Sequence, residues 1–441
     1  MWHPAVPSKI TTKRARAGVA AVAFVLLCVK LWLASTTVGT NDVITFEEFA
    51  KVIGRVGPVG IYGVKHPAYD VYNHPPLTGD MLWVFYHLSL HRISFPLLIR
   101  LPATLADAVT SLLVFELVRA RRGDVRAAML AGMGAAASPI LVIISGFHGN
   151  TDPVFVMFIL LSVWLLAQRE LPLWAGVALG LGLSVKVVPL VVLPVLLFWA
   201  LLRSRRTLVL FAAGLAVTLA VLWGPSVLEH WTDVRNNVLE YNGWSAPQWG
   251  LAQFLTDLGL DKTQLASVLA HARTPVVALS ALLGMFLVWR RREALAPAVG
   301  LALACLLMLS TATGTQYLAW AAAVLFLADV WTALIYNLVG GLFLLVLYTH
   351  WSHGGWNYAV GRIWSAGDTR LAMLAWAALI TAVVCGVRGV LRLPTAETTD
   401  ALTAPTANRH EDPPTGGSPE PQAQQGATQT ISAAEISAGP A

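Results

Sequence analysis

The feature that most constrains this chain is a series of long apolar segments separated by short polar or basic connections. The segments are about 20 residues long, the length that a helix needs to cross a hydrocarbon layer roughly 30 Å thick. Hydrophobic residues make up 56% of the 441-residue chain, and charged residues only 12%. Because lipid offers the backbone no hydrogen-bond partners, such segments must be helical. The sequence therefore predicts an all-α polytopic membrane protein.

About twelve transmembrane helices can be drawn along the chain. They are predicted near residues 17–36, 96–118, 127–145, 153–168, 171–185, 187–202, 207–225, 274–289, 295–313, 316–332, 334–350 and 371–391. Basic residues precede the first helix and recur at alternate connections, which is the distribution expected of cytoplasmic loops. We therefore expect the N- and C-termini in the cytoplasm. The bias toward Arg and Ala is typical of GC-rich bacterial genomes and favours the plasma membrane.

Composition also divides the chain into two parts. Residues 1–393 form the predicted transmembrane domain, and residues 394–441 are rich in Pro, Thr, Ala, Gln and Gly. That second composition cannot bury enough apolar surface to fold, so it predicts a disordered cytoplasmic tail. Between the first two spans, residues 37–95 contain an amphipathic stretch at 46–53, which predicts interfacial helices. The net charge of +6 is explained by cytoplasmic loops, and no nucleic-acid partner is expected.

Three carboxylates follow the first apolar segment directly. Asp42 comes just past the predicted helix end, where a carboxylate can act as a general base toward a hydroxyl. The alternative is an ordinary solvated loop acid. Glu47 is a substrate-binding candidate, although Glu47 and Glu48 also fit the polar side of the amphipathic stretch. The polar residues that water does not explain concentrate on this outer side, which predicts an external cavity.

Prolines shape the next candidate segment. Pro75 pushes His74 out of the helical region, so residues Tyr72, Asn73 and His74 should be extended before a helix starts. An extended segment at the interface presents these three side chains to a cavity. A plain turn would have the same sequence pattern. All three are retained as substrate-binding candidates.

Two cations are candidates for binding a phosphate. Arg100 lies about two helical turns from Asp107, and it can either contact a lipid phosphate or extend to the outer surface. Lys186 occupies a tight outer turn, where an ammonium close to hydrocarbon needs an anion, and a phosphate is the natural one. The remaining substrate-binding candidates come from outer turns or helix ends. They are His148, Asp152, for which helix capping is the alternative role, and Gln316.

Metal and nucleotide chemistry find no support in the motifs. The sequence has no DxD near Asp42 and no HExxH, and its histidines are scattered. Cys28, Cys305 and Cys385 all lie inside apolar segments, as small buried hydrophobic residues do. Gly-rich nucleotide loops are also missing. We therefore expect no cofactor and no metal requirement.

The order of these motifs resembles the GT-C superfamily of integral-membrane glycosyltransferases, in particular its polyprenyl-phosphate-sugar users. These include protein O-mannosyltransferases, aminoarabinose transferases and actinobacterial mannosyltransferases. The resemblance covers about residues 17–390, and each motif is short. It places Asp42 at the family's catalytic acid, His74-Pro75-Pro76-Leu77 at its proline segment and Asp152 at its second outer-loop acid. Asn41-Asp42 stands where the family often has Asp-Glu. No large soluble domain follows the last span, which argues against an oligosaccharyltransferase.

The resemblance implies an enzyme of the hexosyltransferase type. It would move one sugar, a mannose-like hexose, from a polyprenyl-phosphate carrier to a hydroxyl of a lipid, glycan or protein acceptor on the extracytoplasmic side. Asp42 would take the acceptor proton while Arg100 and Lys186 stabilise the departing phosphate, and the anomeric centre would invert. The rival hypothesis is a lipid or solute transporter with the outer acids as a proton relay. A polymerase or ligase using a lipid-diphosphate glycan is a third.

Overall fold

The computed structural model describes residues 10–64, 71–241, 246–361 and 364–392, so the predicted tail at 394–441 lies outside the described residues. The first eight helices are α1 (Thr12–Thr36), α2 (Asn41–Gly60), α3 (Pro76–Ser89), α4 (Phe95–Arg122), α5 (Val125–Ala136), α6 (Pro139–Ile143), α7 (Asp152–Ala167) and α8 (Pro172–Val185). The other eight are α9 (Leu193–Arg203), α10 (Arg205–Val234), α11 (Gly250–Asp257), α12 (Lys262–Arg290), α13 (Leu295–Met308), α14 (Ala319–Ala322), α15 (Val330–Trp351) and α16 (Ala366–Arg392).

The predicted all-α polytopic architecture is confirmed, and each of the predicted spans overlaps one of these helices or a run of short ones. Within the described ranges, seven helical segments are long and apolar enough to cross a membrane. Their bounds are Thr12–Thr36, Phe95–Arg122, Val125–His148, Arg205–Leu239, Lys262–Arg290, Val330–Trp351 and Ala366–Arg392. The protein is therefore a multi-pass membrane protein.

Several predicted spans are shorter helices than their apolar length indicated. Pro153 and Pro172 stand at helix starts, and a 3₁₀ turn at Val188–Val191 separates α8 from α9. Between α13 and α14 the chain leaves the helix over a Thr- and Gly-containing segment before the 3₁₀ turn Thr315–Leu318. Non-helical backbone within a membrane protein is tolerated where it is buried or lines a cavity. These interruptions therefore indicate where a cavity can form.

The predicted helices of the segment after α1 are present as α2 and α3, which pack on each other. Apolar residues on one face of α2 recur at helical spacing and are buried, as Val43, Phe46, Phe49 and Ile53 show. They form a cluster with side chains of α3 and the connecting segment. The 3₁₀ turn Ile61–Gly63 follows α2 directly. This packing fixes the start of α2, which carries Asp42.

A two-stranded parallel ladder connects two loops that are distant in sequence. Strand β1 (Gly39–Thr40) pairs with β2 (Tyr358–Ala359), with Gly39 opposite Tyr358 and Thr40 opposite Ala359. Gly39 has a φ of +99°, and a Cβ there would meet the Phe147 carbonyl oxygen at 2.6 Å. Only glycine meets both requirements at this position. The ladder therefore holds the chain that precedes α2 close to the end of α15.

A buried ion pair joins α1 to α4 in the interior. Lys30 Nζ lies 2.6 Å from Asp107 Oδ2, and both side chains are almost fully buried. The Ser145 hydroxyl donates to the same Asp107 oxygen at 2.6 Å, which adds the π-helical turn Ile144–His148 to the contact. A buried pair with additional hydrogen bonds is tolerated, whereas either charge alone is strongly unfavourable.

We expect Lys30→Met to destabilise the protein by about 3–5 kcal/mol, because it leaves the Asp107 carboxylate buried without a counter-charge. The double variant Lys30→Met/Asp107→Leu should recover most of the lost stability, since an apolar pair of similar volume needs no compensation. Thermal unfolding in one detergent measures both. A double variant less stable than Lys30→Met would contradict this account of the pair.

Candidate active site

Asp42 lies in the first turn of α2, and the residues around it fix the local backbone. Thr40 is the N-cap, and its Oγ1 accepts a hydrogen bond from the Asp42 amide at 3.3 Å. The same hydroxyl donates to the His148 carbonyl oxygen at 2.8 Å. The Tyr358 hydroxyl donates to Asn41 Oδ1 at 2.6 Å. The chain immediately before Asp42 is therefore held to both the π-helical turn and β2.

The two oxygens of the Asp42 carboxylate have different surroundings. Oδ2 lies 2.9 Å from His148 Nε2, and it accepts a hydrogen bond from Asn150 Nδ2 at 3.3 Å. Oδ1 has no hydrogen-bond partner among the described residues, and the side chain is 35% exposed. One oxygen is thus anchored to the protein while the other is open to a reactant.

The electrostatics of this site keep Asp42 ionised. Burial acts to raise its pKa, because it penalises the charged carboxylate. Hydrogen bonds from His148 and Asn150 and the charge of Lys186 oppose that effect. The net pKa of Asp42 is lower than its ordinary value of 3.8. The group therefore carries a negative charge at neutral pH, as a general base must.

Asp42 opens onto a cavity of about 400 Å³, here called the Asp42 cavity. Its polar lining includes Asn73, His74, Lys186 and Gln316, which are drawn from three separate segments. Aliphatic side chains from residues 187–191 and 276–277 line much of the remainder. A cavity with convergent polar groups beside an apolar wall is typical of a ligand site. The helix interruptions described above therefore do form a cavity wall.

Lys186 is a cation of the cavity wall with the chemistry to bind an anion. A second acid, Asp152, holds its ammonium in place. Its ammonium forms an ion pair with Asp152 Oδ1, and Asp152 is fully buried. The other oxygen, Asp152 Oδ2, accepts a hydrogen bond from Trp320 Nε1 at 2.8 Å. The Lys186 ammonium also lies 5.3 Å from the centroid of the Tyr317 ring. Asp152 thus has both oxygens occupied, whereas the ammonium has three N–H donors and reaches the cavity.

His74 contributes a neutral ring to the cavity wall. Burial lowers its pKa to about 3, and the charge of Lys186 acts in the same direction against the weaker opposing effect of Asp42. The ring centroid lies 4.9 Å from that of Phe46, and the Tyr62 hydroxyl donates to the His74 carbonyl at 2.8 Å. An uncharged imidazole at this place can donate or accept hydrogen bonds to a hydroxyl-rich ligand.

The structure places Arg100, which the sequence predicts as a phosphate ligand, outside the lining of the Asp42 cavity. Arg100 is fully buried, and it does not line the Asp42 cavity. Its Nη1 donates to the Thr37 hydroxyl at 2.8 Å and to the Gly146 carbonyl at 3.0 Å. Its Nη2 donates to the carbonyls of Thr37 and Val38. The side chain binds backbone because α1 ends here and leaves carbonyl oxygens without helical partners.

Four further candidates also lie outside the cavity lining. Glu47 points elsewhere and forms an ion pair with Lys51 at 3.1 Å, so it is not brought to the site. Tyr72 is buried behind His74, with their ring centroids 5.7 Å apart. His148 and Asp152 lie behind the wall, where they contact Asp42 and Lys186 respectively. Of the predicted residues, Asp42, Asn73, His74, Lys186 and Gln316 converge on the cavity.

Sequence reasoning missed several residues of the site. Asn150 stands two residues after His148, and this closeness in sequence to a predicted site residue could have identified it as a candidate. Tyr317, Trp320 and Tyr348 lie in apolar segments where aromatic residues are ordinary, so they gave no signal. Arg273 also lines the cavity. Among the described residues, no group of three or more His, Cys, Asp or Glu side chains is placed to hold a metal ion.

The fold is that of a polytopic membrane protein with a cavity walled by short helices, and an ionised acid and a paired ammonium line this cavity. Residues 73–228, about a third of the chain, match the family model of dolichyl-phosphate-mannose-protein mannosyltransferases. This match confirms the predicted resemblance to the GT-C superfamily, and with it the prediction of a membrane glycosyltransferase.

Two further comparisons concern solved structures and curated protein sequences. Among solved structures, the crystal structure of ArnT from Cupriavidus metallidurans bound to undecaprenyl phosphate matches with a TM-score of 0.47 and 15% sequence identity. The match covers 84% of this chain and 76% of that chain. No curated protein sequence matches the chain significantly.

We expect Arg100→Lys to destabilise the protein although it keeps the positive charge. A single ammonium cannot reach carbonyls of two chain segments in the way that a planar guanidinium does. Each buried carbonyl left without a donor costs about 1–3 kcal/mol. Arg119→Lys is the control, because Arg119 forms a partly exposed pair with Glu116 and its replacement should cost less than about 1 kcal/mol. Equal melting temperatures for the two variants would contradict the assigned role.

Proposed function

We propose that this protein transfers a sugar from a polyprenyl-phosphate carrier to an acceptor hydroxyl, with Asp42 as the general base. The observation that carries the proposal is the Asp42 carboxylate itself, which is ionised, anchored through Oδ2 and open through Oδ1 to a cavity that also contains Lys186. The family match at residues 73–228 supports a mannose-like hexose as the sugar. The acceptor is a hydroxyl of a lipid, a glycan or a protein.

The proposed reaction is a single displacement at the anomeric carbon. The acceptor oxygen forms a bond to that carbon while the bond from the carbon to the phosphate oxygen breaks. Asp42 Oδ1 takes the acceptor proton, and the polyprenyl phosphate leaves with the bonding electrons. Because attack and departure occur on opposite sides, the anomeric configuration inverts. One base and one stabilised leaving group are sufficient for this chemistry.

Lys186 is the group proposed to stabilise the leaving phosphate. One of its three N–H bonds is used by Asp152, which leaves donors for a phosphate oxygen as negative charge builds there. The aliphatic wall at residues 187–191 continues directly from Lys186 and suits the first prenyl units of the carrier. His74 and Gln316 are then placed to hydrogen-bond sugar or acceptor hydroxyls.

We further propose that the cavity opens on the extracytoplasmic side. Asp42 comes six residues after the end of α1, and Lys9, Lys13, Arg14 and Arg16 stand before that helix or within its first five residues. The C-terminal end of α4 carries a basic cluster, Arg119, Arg121 and Arg122, whereas its N-terminal part passes beside the site. This separation agrees with cytoplasmic termini and an outer active site.

The direct test incubates purified protein with radiolabelled polyprenyl-phosphate sugars and a membrane extract, and identifies the labelled product. Transfer of label from a polyprenyl-phosphate hexose supports the proposal. Movement of an intact labelled carrier across vesicles without any transfer would instead support the transporter hypothesis.

We expect Asp42→Asn to reduce transfer by at least about a thousandfold, because the amide cannot accept the acceptor proton. The variant should retain its melting temperature and its binding of the lipid-phosphate donor. Glu47→Gln is the matched comparison, since Glu47 lies on the same helix but pairs with Lys51 outside the cavity. It should remain active. The reverse pattern, an active Asp42→Asn and an inactive Glu47→Gln, would move the base to Glu47.

We also predict that transfer needs no metal ion, because the Lys186 ammonium supplies the positive charge that a departing phosphate monoester requires. Activity should therefore be unchanged after exhaustive EDTA treatment at fixed ionic strength. Loss of activity that is restored by Mg²⁺ or Mn²⁺ would contradict this part of the proposal.

A further inference from the structure

A continuous chain of buried side chains lies behind Asp42. Asp42 Oδ2 contacts His148 Nε2 at 2.9 Å, and His148 Nδ1 is hydrogen-bonded to the Tyr348 hydroxyl. The Tyr348 hydroxyl in turn lies 3.1 Å from Thr315 Oγ1. The first of these groups borders the cavity, and the other three are buried. They come from α2, the π-helical turn, α15 and the 3₁₀ turn at Thr315.

The hydrogens in this chain can be placed by counting donors. If the Tyr348 hydroxyl donates to Thr315, then the Thr315 hydrogen has no acceptor in its described surroundings. If Thr315 donates to Tyr348 and Tyr348 donates to His148 Nδ1, every hydroxyl hydrogen is used. His148 Nδ1 is then an acceptor, so the ring hydrogen resides on Nε2 and points at Asp42. Buried polar hydrogens are almost always paired, which selects the second arrangement.

We propose that Tyr348 and Thr315 are positioning residues that hold His148 as a neutral imidazole with its hydrogen on Nε2. Asp42 Oδ2 then always faces a donor, and Oδ1 is left for the acceptor hydroxyl. An uncharged donor has a second consequence for catalysis. It orients the carboxylate without binding it as strongly as an imidazolium would, so Asp42 remains a sufficiently strong base. This inference rests on the function proposed above.

The other charged and titratable groups that face Asp42 are known and constant in the test below. Lys186, Arg273, Tyr241 and the neutral His74 line the same cavity, Tyr317 approaches from another segment, and Asp152 acts through its pair with Lys186. Tyr348 is the residue that contacts His148 Nδ1.

The principal test is the pH profile of kcat/KM for Tyr348→Phe. Without the hydroxyl, the ring hydrogen can move to Nδ1 and place the Nε2 lone pair against the Asp42 carboxylate. That repulsion favours protonated Asp42, so the acid limb of the profile should rise by about one pH unit. The wild-type profile should stay level from pH 8 down to about pH 5, because the pKa of Asp42 lies below 3.8.

Two comparisons separate this effect from a loss of packing. Tyr336→Phe is the matched control, because Tyr336 is also a buried tyrosine of α15 and its hydroxyl donates to the Leu318 carbonyl at 2.9 Å. Its acid limb should not move. In a His148→Gln background the amide donates to Asp42 whatever stands at position 348, so adding Tyr348→Phe should leave the limb unchanged. An unmoved limb in Tyr348→Phe, or an equal shift in the His148→Gln background, overturns the proposal.

The position of the ring hydrogen on His148 can also be measured directly, without an activity assay and without relying on the folding of Tyr348→Phe. ¹⁵N-histidine NMR of the full-length protein, with His148 assigned by its disappearance in His148→Gln, should show a neutral ring with hydrogen on Nε2. A ring with hydrogen on Nδ1, or on both nitrogens, at neutral pH refutes the proposal even if Asp42→Asn abolishes transfer. A ring with hydrogen on Nε2 in a protein that transfers no sugar would refute the proposed function and leave the positioning assignment intact.

Discussion

The site depends on how Arg100 satisfies backbone carbonyls where α1 has ended. A helix leaves its last carbonyl oxygens without partners, and in a dry interior each such group is costly. The Arg100 guanidinium donates to Thr37 and Val38 on one segment and to Gly146 on another. Because the guanidinium is planar and rigid, it fixes the distance between these segments. Arg100, which the sequence predicts as a phosphate ligand, thus joins two backbone segments by hydrogen bonds.

The geometry around Asp42 follows from that connection. Asp42 stands four residues after Val38, and His148 stands two residues after Gly146, so bringing the two carbonyls together also brings these side chains to 2.9 Å. The Thr40 hydroxyl adds a further bond between the same segments. An acid that must be held within a few tenths of an ångström of a useful position is thus supported by backbone contacts as well as by its own hydrogen bonds.

How much of the fold and of the site could be predicted depends on what each sequence pattern reports. Hydropathy reports burial, so each predicted span overlaps a helix or a run of short ones. It does not report where short helices leave a cavity. An ionisable group in an apolar setting reports a site, and Asp42 and Lys186 were found that way. The direction in which a side chain points is not encoded locally, which is why the sequence did not show that Arg100 donates to backbone carbonyls. Tyr348 was missed because its contact to His148 joins residues 200 positions apart.

The two acids of the site show how environment divides their roles. Asp152 is fully buried, one of its oxygens is bound to Lys186 and the other to Trp320, so neither can receive a proton from a substrate. Asp42 has the same chemistry but a different setting, with one oxygen anchored and one open to the cavity. When two carboxylates lie in one site, the one with a free oxygen and access to ligand is the candidate base, and the saturated one is structural. Asp152 then serves to hold the Lys186 ammonium at the cavity wall.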